Sequence, residues 1–287
     1  MKTQIELLKE FKIAVRGHWG QHLLIDPNIQ KKIVELLHPC SGKSVLEIGP
    51  GMGALTAWLL DRGVRVTAVE KDPRLCAMLE TVFADKIADG FLRLRQADVL
   101  KEDLDQLALS MNPPADQIIS NLPYYITGPI LAGVLPLKRL RRAVFMMQKE
   151  VAERIFAKPG SREYGRLSLL VHFFAKAYPA FDVSPKCFTP PPEVHSSVVV
   201  FDFKERSKEQ EASLEAVLEI AAAAFAQRRK KIMGTLQRDG RWKLSKAEWI
   251  GVFESIGICA DARPEELAPE CYEALERSLR AFRRPHL

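Results

Sequence analysis

The 287 residues include 42 lysines and arginines against 36 aspartates and glutamates, a formal charge of +6, and 47% are hydrophobic. That length supports one large core and a small one, and the charge suits a polyanionic partner without requiring one. Five cysteines without C-x-x-C spacing argue for reduced thiols in a cytoplasmic protein and against a zinc site, while no apolar run approaches the roughly 20 residues that span a bilayer.

From Met1 to Val15 the chain is amphipathic through Ile5, Leu8, Phe11 and Val15, which reads as a docking helix or a loose arm. His18 and His22 stand four apart, a spacing that binds metal on a helix. Gly17 and Gly20 argue against a helix there and no acidic or cysteine ligand lies close, so no metal site is expected. Asp26-Pro27 sets a capping acid before proline at a first helical position, opening a helix that carries Ile29, Ile33 and Leu37. The strand Ser44-Val-Leu-Glu-Ile48 then enters the loop Gly49-Pro50-Gly51-Met52-Gly53, and Ala54 to Leu60 reads as a helix. Val64 to Val69 is a second strand, closing on Glu70 roughly 20 residues after the loop, where a carboxylate is placed to meet ribose hydroxyls. Gly49, Gly51 and Ala54 satisfy the dinucleotide pattern as well, so the loop alone does not separate a nicotinamide cofactor from S-adenosylmethionine.

After a helix opened by Asp72-Pro73 and carrying Leu75, Leu79 and Phe83, a third strand runs from Phe91 to Gln96 and ends at Asp98. Asp98 is either a helix cap or an acceptor for an adenine amine. The fourth strand, Asp116 to Ser120, runs straight into Asn121-Leu122-Pro123-Tyr124-Tyr125. An exocyclic aromatic amine donates two hydrogen bonds, which the Asn121 carboxamide oxygen and the Leu122 carbonyl can accept, while Tyr124 offers a face for the ring. Pro123 has a fixed φ and restricts Leu122, so the carbonyl direction is set before any substrate arrives. Four strand ends carrying the glycine loop, Glu70, Asp98 and Asn121 converge where open α/β sheets bind ligands.

Arg142 to Met147 is a fifth strand, followed at a distance by a hairpin of Ala175 to Val183 and Ser197 to Phe203. Between its arms Thr189-Pro-Pro-Pro-Glu193 must be an extended surface loop, either a rigid spacer or a lining of the substrate entrance. Strand signals stop after Lys204 to Gln210, so 1–204 is expected to be a cofactor-binding catalytic α/β domain and 205–287 a small all-helical domain. In the latter, Leu214, Leu218, Ala221, Phe225, Ile232 and Leu236 form a helical stripe interrupted by Arg228-Arg229-Lys230-Lys231. Four consecutive helical residues spread around most of the circumference. At least one cation should therefore lie near the buried side, pairing with an acid of the first domain or bordering a cleft that meets phosphate. Ser245-Lys-Ala-Glu248 is a capping box ahead of Trp249, Val252 and Ile256.

Gly20-Gln-His-Leu-Leu-Ile-Asp26, Glu47-Ile-Gly-Pro-Gly51, Asn121-Leu-Pro-Tyr124, Gln148-Lys-Glu-Val151, Tyr164-Gly-Arg-Leu-Ser168, Phe188-Thr-Pro-Pro-Pro192, Ser196-Ser-Val-Val199 and Ala224-Phe-Ala-Gln-Arg-Arg-Lys230 occur in one order. In them the chain resembles the ribosomal RNA adenine dimethyltransferases, specifically the bacterial small-subunit (16S) members. The resemblance implies an α/β, Rossmann-like class I methyltransferase domain with a helical C-terminal domain. It also implies S-adenosyl-L-methionine contacts at His22, Leu24, Gly49, Glu70, Asp98 and Asn121, to which the loop reading adds Gly51. The implied substrate is a pair of adjacent adenosines in the 3′-terminal hairpin of 16S rRNA, dimethylated at N6 within a precursor of the small ribosomal subunit by a monomer. Asn121, Leu122 and Tyr124 are the catalytic candidates, and Arg228, Arg229 and Lys230 the RNA-binding ones. The family usually has Asn at 22, an aromatic at 23, and often Asn at 125, Asp at 195 and Asn at 234; here these are His22, Leu23, Tyr125, His195 and Gly234. A large-subunit rRNA adenine methyltransferase and a non-catalytic assembly factor are the alternatives, the first disfavoured by the Ala224–Lys230 segment and the second by the intact Asn121 motif.

Overall fold

The apolar runs that end at Ile48, Glu70, Gln96, Asn121 and Gln148 become neighbouring parallel strands in the computed structural model, which describes residues 4–13 and 22–282. The strands are β1 (Leu23–Leu24), β2 (Ser44–Ile48), β3 (Arg65–Glu70), β4 (Leu92–Gln96), β5 (Gln117–Asn121), β6 (Arg142–Gln148), β7 (Ala175–Val183), β8 (Phe188–Thr189) and β9 (Ser196–Phe203). The helices around them are α1 (Gln4–Glu10), α2 (Pro27–Leu36), α3 (Ala54–Leu60), α4 (Pro73–Val82), α5 (Ala84–Ala88), α6 (Leu104–Leu109), α7 (Thr127–Val134), α8 (Lys149–Phe156) and α9 (Arg166–Phe174). Then follow α10 (Lys208–Phe225), α11 (Ile232–Asp239), α12 (Lys246–Ser255) and α13 (Pro269–Leu279).

The main sheet has seven strands in the order β4-β3-β2-β5-β6-β9-β7. The expected hairpin is present as β7 and β9, which pair antiparallel, and β9 also runs antiparallel to β6. From β2 the chain steps outward through β3 and β4, then returns to the other flank of β2 as β5. The order therefore reverses between β2 and β5, the position at which open α/β sheets bind ligands beyond their carboxyl ends. The Ser120 hydroxyl locks those two strands there by donating to the Ile48 carbonyl at 2.6 Å. Every residue of β2 is buried, as expected for a central parallel strand.

Proline-initiated helices open as expected: Asp26 caps α2 through the amides of Asn28 and Ile29, and Asp72 caps α4 through that of Arg74. The amphipathic start is helical over α1 and docks by Leu7, with Leu8, Phe11 and Ile13 against the same apolar core; Val15 and His18 lie outside the described residues. A separate two-stranded pairing joins β1 to β8, with Leu24 opposite Phe188.

The chain divides into two compact units, one formed by Met1–Ala152 with Ala175–Phe203, the other by Glu153–Phe174 with the chain from Lys204 onward. A boundary near 204 is one of the crossings, but Glu153–Phe174 departs from the expected 1–204 division and sits in the helical unit. Its α9 is buried through Leu167, Leu169, Leu170, Val171, Phe173 and Phe174 and packs against α10 and α13. In the same unit Tyr164 donates to the Leu267 carbonyl at 3.0 Å and Tyr272 to that of Pro264 at 2.7 Å. Ser245 and Glu248 form the expected capping box of α12.

The stripe expected to run from Leu214 to Leu236 on one helix is broken. Helix α10 ends at Phe225 and α11 starts at Ile232, so the four cations occupy the intervening turn. Inside α10 the buried side is formed by Val217, Ile220, Ala221 and Ala224. Residues of a turn are not distributed around a helix, yet one of these cations has an acidic partner. Arg228 is half-buried, donates to the Arg162 carbonyl, and stands 3.9 Å from the Glu265 carboxylate. That acid belongs to the helical unit, not to the first domain.

Candidate active site

The loop after β2 is shaped by glycine at positions where a side chain has no room or the backbone is left-handed. Gly53 has φ +76°, and a Cβ there would lie 2.6 Å from Phe83; Gly51 has φ +58°, with Leu23 at 3.3 Å. Backbone thus borders an open space of about 920 Å³, within the roughly 300–1,000 Å³ usual for small-molecule sites. Its wall includes His22, Leu24, Gly49, Gly51, Glu70, Asp98, Asn121, Leu122 and Tyr124, so every site residue expected in the first 204 positions meets at one cavity.

Glu70, the last residue of β3, is 8% exposed. Its Oε1 accepts from the amides of Lys71 (2.8 Å) and Asp72 (2.9 Å), and Oε2 from that of Gly51 (3.2 Å). Burial pushes its carboxyl above the ordinary range, opposed by those three amide donors. Of about four lone-pair sites on the two oxygens three meet amides, so Oε2 keeps capacity for a further donor such as a hydroxyl. Of the two roles weighed for Asp98, the cap is the one observed, and the residue also borders the cavity. It caps the turn Val99–Lys101 through Leu100 N (3.1 Å) and lines the cavity, and Lys71 Nζ at 2.9 Å holds its carboxyl below the usual range. Lys71 was missed by sequence reading, because a lysine after a strand carries no signal of its partner.

Asn121 ends β5 with its carboxamide oriented: Nδ2 donates to the His22 carbonyl at 3.1 Å, which leaves Oδ1 as the acceptor. His22 thereby acts on the site through its backbone, while its ring Nδ1 lies 2.8 Å from the Pro190 carbonyl and the ring stands 5.3 Å from that of Tyr124. The proline-rich loop thus reaches the cavity wall through His22. Leu122 is 1% exposed and donates its amide to Met146 O at 2.9 Å, which fixes the turn on β6. Tyr124 is held by a 2.7 Å bond between its hydroxyl and that of Ser196, and burial raises its phenol above the ordinary range, so it is neutral and not a base. Behind Leu24, Gln30 donates to the Leu24 carbonyl at 2.8 Å and accepts from Trp58 at 3.2 Å, which secures β1 against α2 and α3.

Glu47 is a second residue that sequence reading left without a role. It is the last residue but one of β2, 1% exposed and on the cavity wall, accepting from the Thr56 hydroxyl at 2.6 Å. Burial pushes its carboxyl up to about 7, opposed by the Thr56 hydroxyl and amide and helped by Glu70. Below pH 4.5 folded and unfolded chains both hold this proton. As pH rises from there to about 7 only the unfolded chain releases it, so stability falls through that window and then levels off. At about 1.4 kcal/mol for each pH unit between the two values, the loss is roughly 3 kcal/mol. Glu47→Gln keeps an acceptor for Thr56 and cannot ionise. It is expected to unfold at a higher temperature than the parent at pH 8 and at a similar one at pH 4.5; a pH-independent difference in thermal melts would refute the assignment.

Among the described residues no group of three His, Cys, Asp or Glu side chains is arranged to hold a metal ion, and no helix is long and apolar enough to cross a membrane. In the helical unit, Arg228 and Arg229 border a surface recess with Gly160, Ser161, Arg162 and Glu265; Arg229 and Lys230 are exposed.

Two carboxylates, Glu70 and Asp98, and the fixed Asn121 carboxamide thus line one cavity at the switch point, where open α/β sheets bind ligands. This is a Rossmann-like class I methyltransferase, a class that takes its methyl group from S-adenosyl-L-methionine. The family model for ribosomal RNA adenine dimethylase matches residues 13–252. The chain is 37% identical to the ribosomal RNA small subunit methyltransferase A of Aromatoleum aromaticum, over 93% of this chain and 94% of that one. It is 40% identical to the probable ribosomal RNA small subunit methyltransferase A of Methanospirillum hungatei, over 88% and 92% respectively. The crystal structure of a dimethyladenosine transferase from Plasmodium falciparum superposes with a TM-score of 0.69 at 26% identity, covering 88% of this chain and 96% of that one. The chain belongs to the ribosomal RNA adenine dimethylase family.

Proposed function

We propose that this enzyme dimethylates the N6-amines of two adjacent adenosines in the 3′-terminal hairpin of 16S rRNA, acting as a cytoplasmic monomer on a precursor of the small ribosomal subunit. The observation that carries the reading is the Asn121 carboxamide, held by the His22 carbonyl with its oxygen left to accept, in the cavity that also contains Glu70 and Asp98. The names of the small-subunit relatives support the choice of RNA.

Bound S-adenosylmethionine supplies a methyl group already activated on a sulfonium. The chain's task is then alignment. Asn121 Oδ1 and the Leu122 carbonyl accept the hydrogens of the amine, which localises its lone pair as nitrogen becomes tetrahedral. Tyr124 stacks on the base, which must leave its helix to enter. No strong base is required, because the product ammonium loses its proton to water. Gly49, Gly51, Leu24 and His22 border the cofactor, Glu70 takes its ribose hydroxyls and Asp98 its adenine amine. Labelled cofactor offered to unmethylated small subunits, large subunits and free 16S rRNA, followed by mapping of the modified bases, tests the reading; label in large subunits alone, or in bases other than adenine, would refute it.

Arg228, Arg229 and Lys230 are the proposed RNA contacts of the helical unit. Because Arg228 is paired with Glu265, reversing it disturbs folding as well as charge, and exposed Arg229 is the cleaner probe. Arg229→Glu is expected to weaken binding to small subunits and to lower the slope of log affinity against log salt by about one. Filter binding across a salt series reads both; an unchanged slope would remove Arg229 from the interface.

A further inference from the structure

We propose that Glu47 sets the discrimination between the cationic cofactor and its neutral demethylated product, by giving up a proton when the sulfonium enters the cavity and regaining one when the methyl group has gone. The inference rests on the class's cofactor and not on the identity of the RNA. Glu47 is buried in the central strand yet forms part of the wall of the cavity that Gly51 and Glu70 also line. Its hydrogen-bond partner is a hydroxyl, Thr56 from α3, rather than a cation. From β3 the Glu70 carboxyl, on the wall of the same cavity, opposes a negative charge on it, and in the sheet its register neighbours are the apolar Ala68 and Ile119.

Two buried carboxyl groups in one cavity need a proton or a positive charge to offset their desolvation. Without ligand the proton serves, consistent with the lift of Glu47 to about 7. S-Adenosylmethionine and S-adenosylhomocysteine share their amino-acid and adenosine ends and differ in charge at sulfur. When the sulfonium binds, the carboxyl ionises and one proton passes to solvent. With the neutral thioether it has no reason to leave. Affinity for S-adenosylmethionine therefore rises with pH, approaching tenfold per pH unit well below pH 7 and levelling off above it, whereas affinity for the product does not rise. A neutral-to-alkaline solution thus favours exchange of spent for fresh cofactor, and acid favours product inhibition.

Isothermal titration of the full-length protein at pH 6.5, in phosphate and in imidazole buffer, counts the protons exchanged on binding. S-Adenosylmethionine is expected to release a measurable fraction of a proton, S-adenosylhomocysteine none. Sinefungin, which bears an ammonium where the cofactor bears its sulfonium methyl group, should release protons as S-adenosylmethionine does. Glu47→Gln, which still accepts from Thr56, should abolish the release and leave the affinity for S-adenosylmethionine flat between pH 5.5 and 7.5. Equal proton exchange for cofactor and product overturns the proposal, and so does a release that persists in the variant, which would assign the proton to Glu70. Should the variant not fold, the contrast among the three ligands on the parent protein decides alone. Failure of the cofactor reading itself would be distinct, because then no binding heat appears.

Discussion

Asn121→Ala is expected to leave S-adenosylmethionine binding within a few-fold of the parent value and to lower the single-turnover rate of methyl transfer by roughly 10²–10³, the scale seen when one preorganised hydrogen-bonding group is removed from a reacting centre. The reason for separating the two quantities lies in the geometry. Asn121 spends its Nδ2 on the His22 carbonyl, so its oxygen is the part available to a substrate amine. That acceptor is worth most as nitrogen becomes tetrahedral and its N–H bonds polarise, which makes the loss a rate effect more than a binding effect. Folding should suffer by about 1 kcal/mol, the net worth of one hydrogen bond, because the turn is independently fixed by the Leu122 amide on Met146 and the Tyr124 hydroxyl on Ser196. Equilibrium binding and rapid-quench transfer on the same preparation check both halves. Undiminished transfer would remove Asn121 from the chemistry; a Kd that weakens as much as the rate would make it a cofactor ligand only.

What could be read from the sequence was the part whose chemistry is local. A glycine loop, an acid at a strand end and an Asn-Leu-Pro-Tyr turn each declare themselves within about ten residues, and the alternation of strand and helix brings their ends together by topology. Caps were legible for the same reason, as Asp26-Pro27, Asp72-Pro73 and Ser245–Glu248 confirm. The losses were non-local. Nothing in 23–24 or 188–189 announces that these two-residue strands pair, and the role of His22 passes through its carbonyl, which has no side-chain signature. The turn between α10 and α11 was hidden because Ile232 and Leu236 continue the apolar period and neither glycine nor proline marks the break. Helix α9 is apolar enough to enter either core, and periodicity does not say which. Glu47 had a signal that went unused: an acid inside a run otherwise suited to a fully buried parallel strand needs a reason to be there.

Glu70→Ala is expected to weaken S-adenosylmethionine by 1.5–3 kcal/mol, roughly ten- to hundredfold in Kd, the scale of lost hydrogen bonds to a charged group. The substitution also strips an acceptor from the amides of Gly51, Lys71 and Asp72, so weaker binding alone would not separate a ribose contact from a loosened glycine loop. A ligand-side change separates them. The 2′-deoxy analogue of S-adenosylhomocysteine removes one hydroxyl that Glu70 is proposed to accept from. The parent protein should lose affinity for it by the energy of that bond, and Glu70→Ala should lose little or nothing further. If both proteins discriminate equally against the deoxy ligand, Glu70 only braces the loop. If the variant binds the unmodified ligand as tightly as the parent does, Glu70 has no part in the cofactor site. Thermal melts taken alongside fix the folded fraction in each titration, and the loss of three amide acceptors predicts a lower melting temperature whichever binding result is obtained.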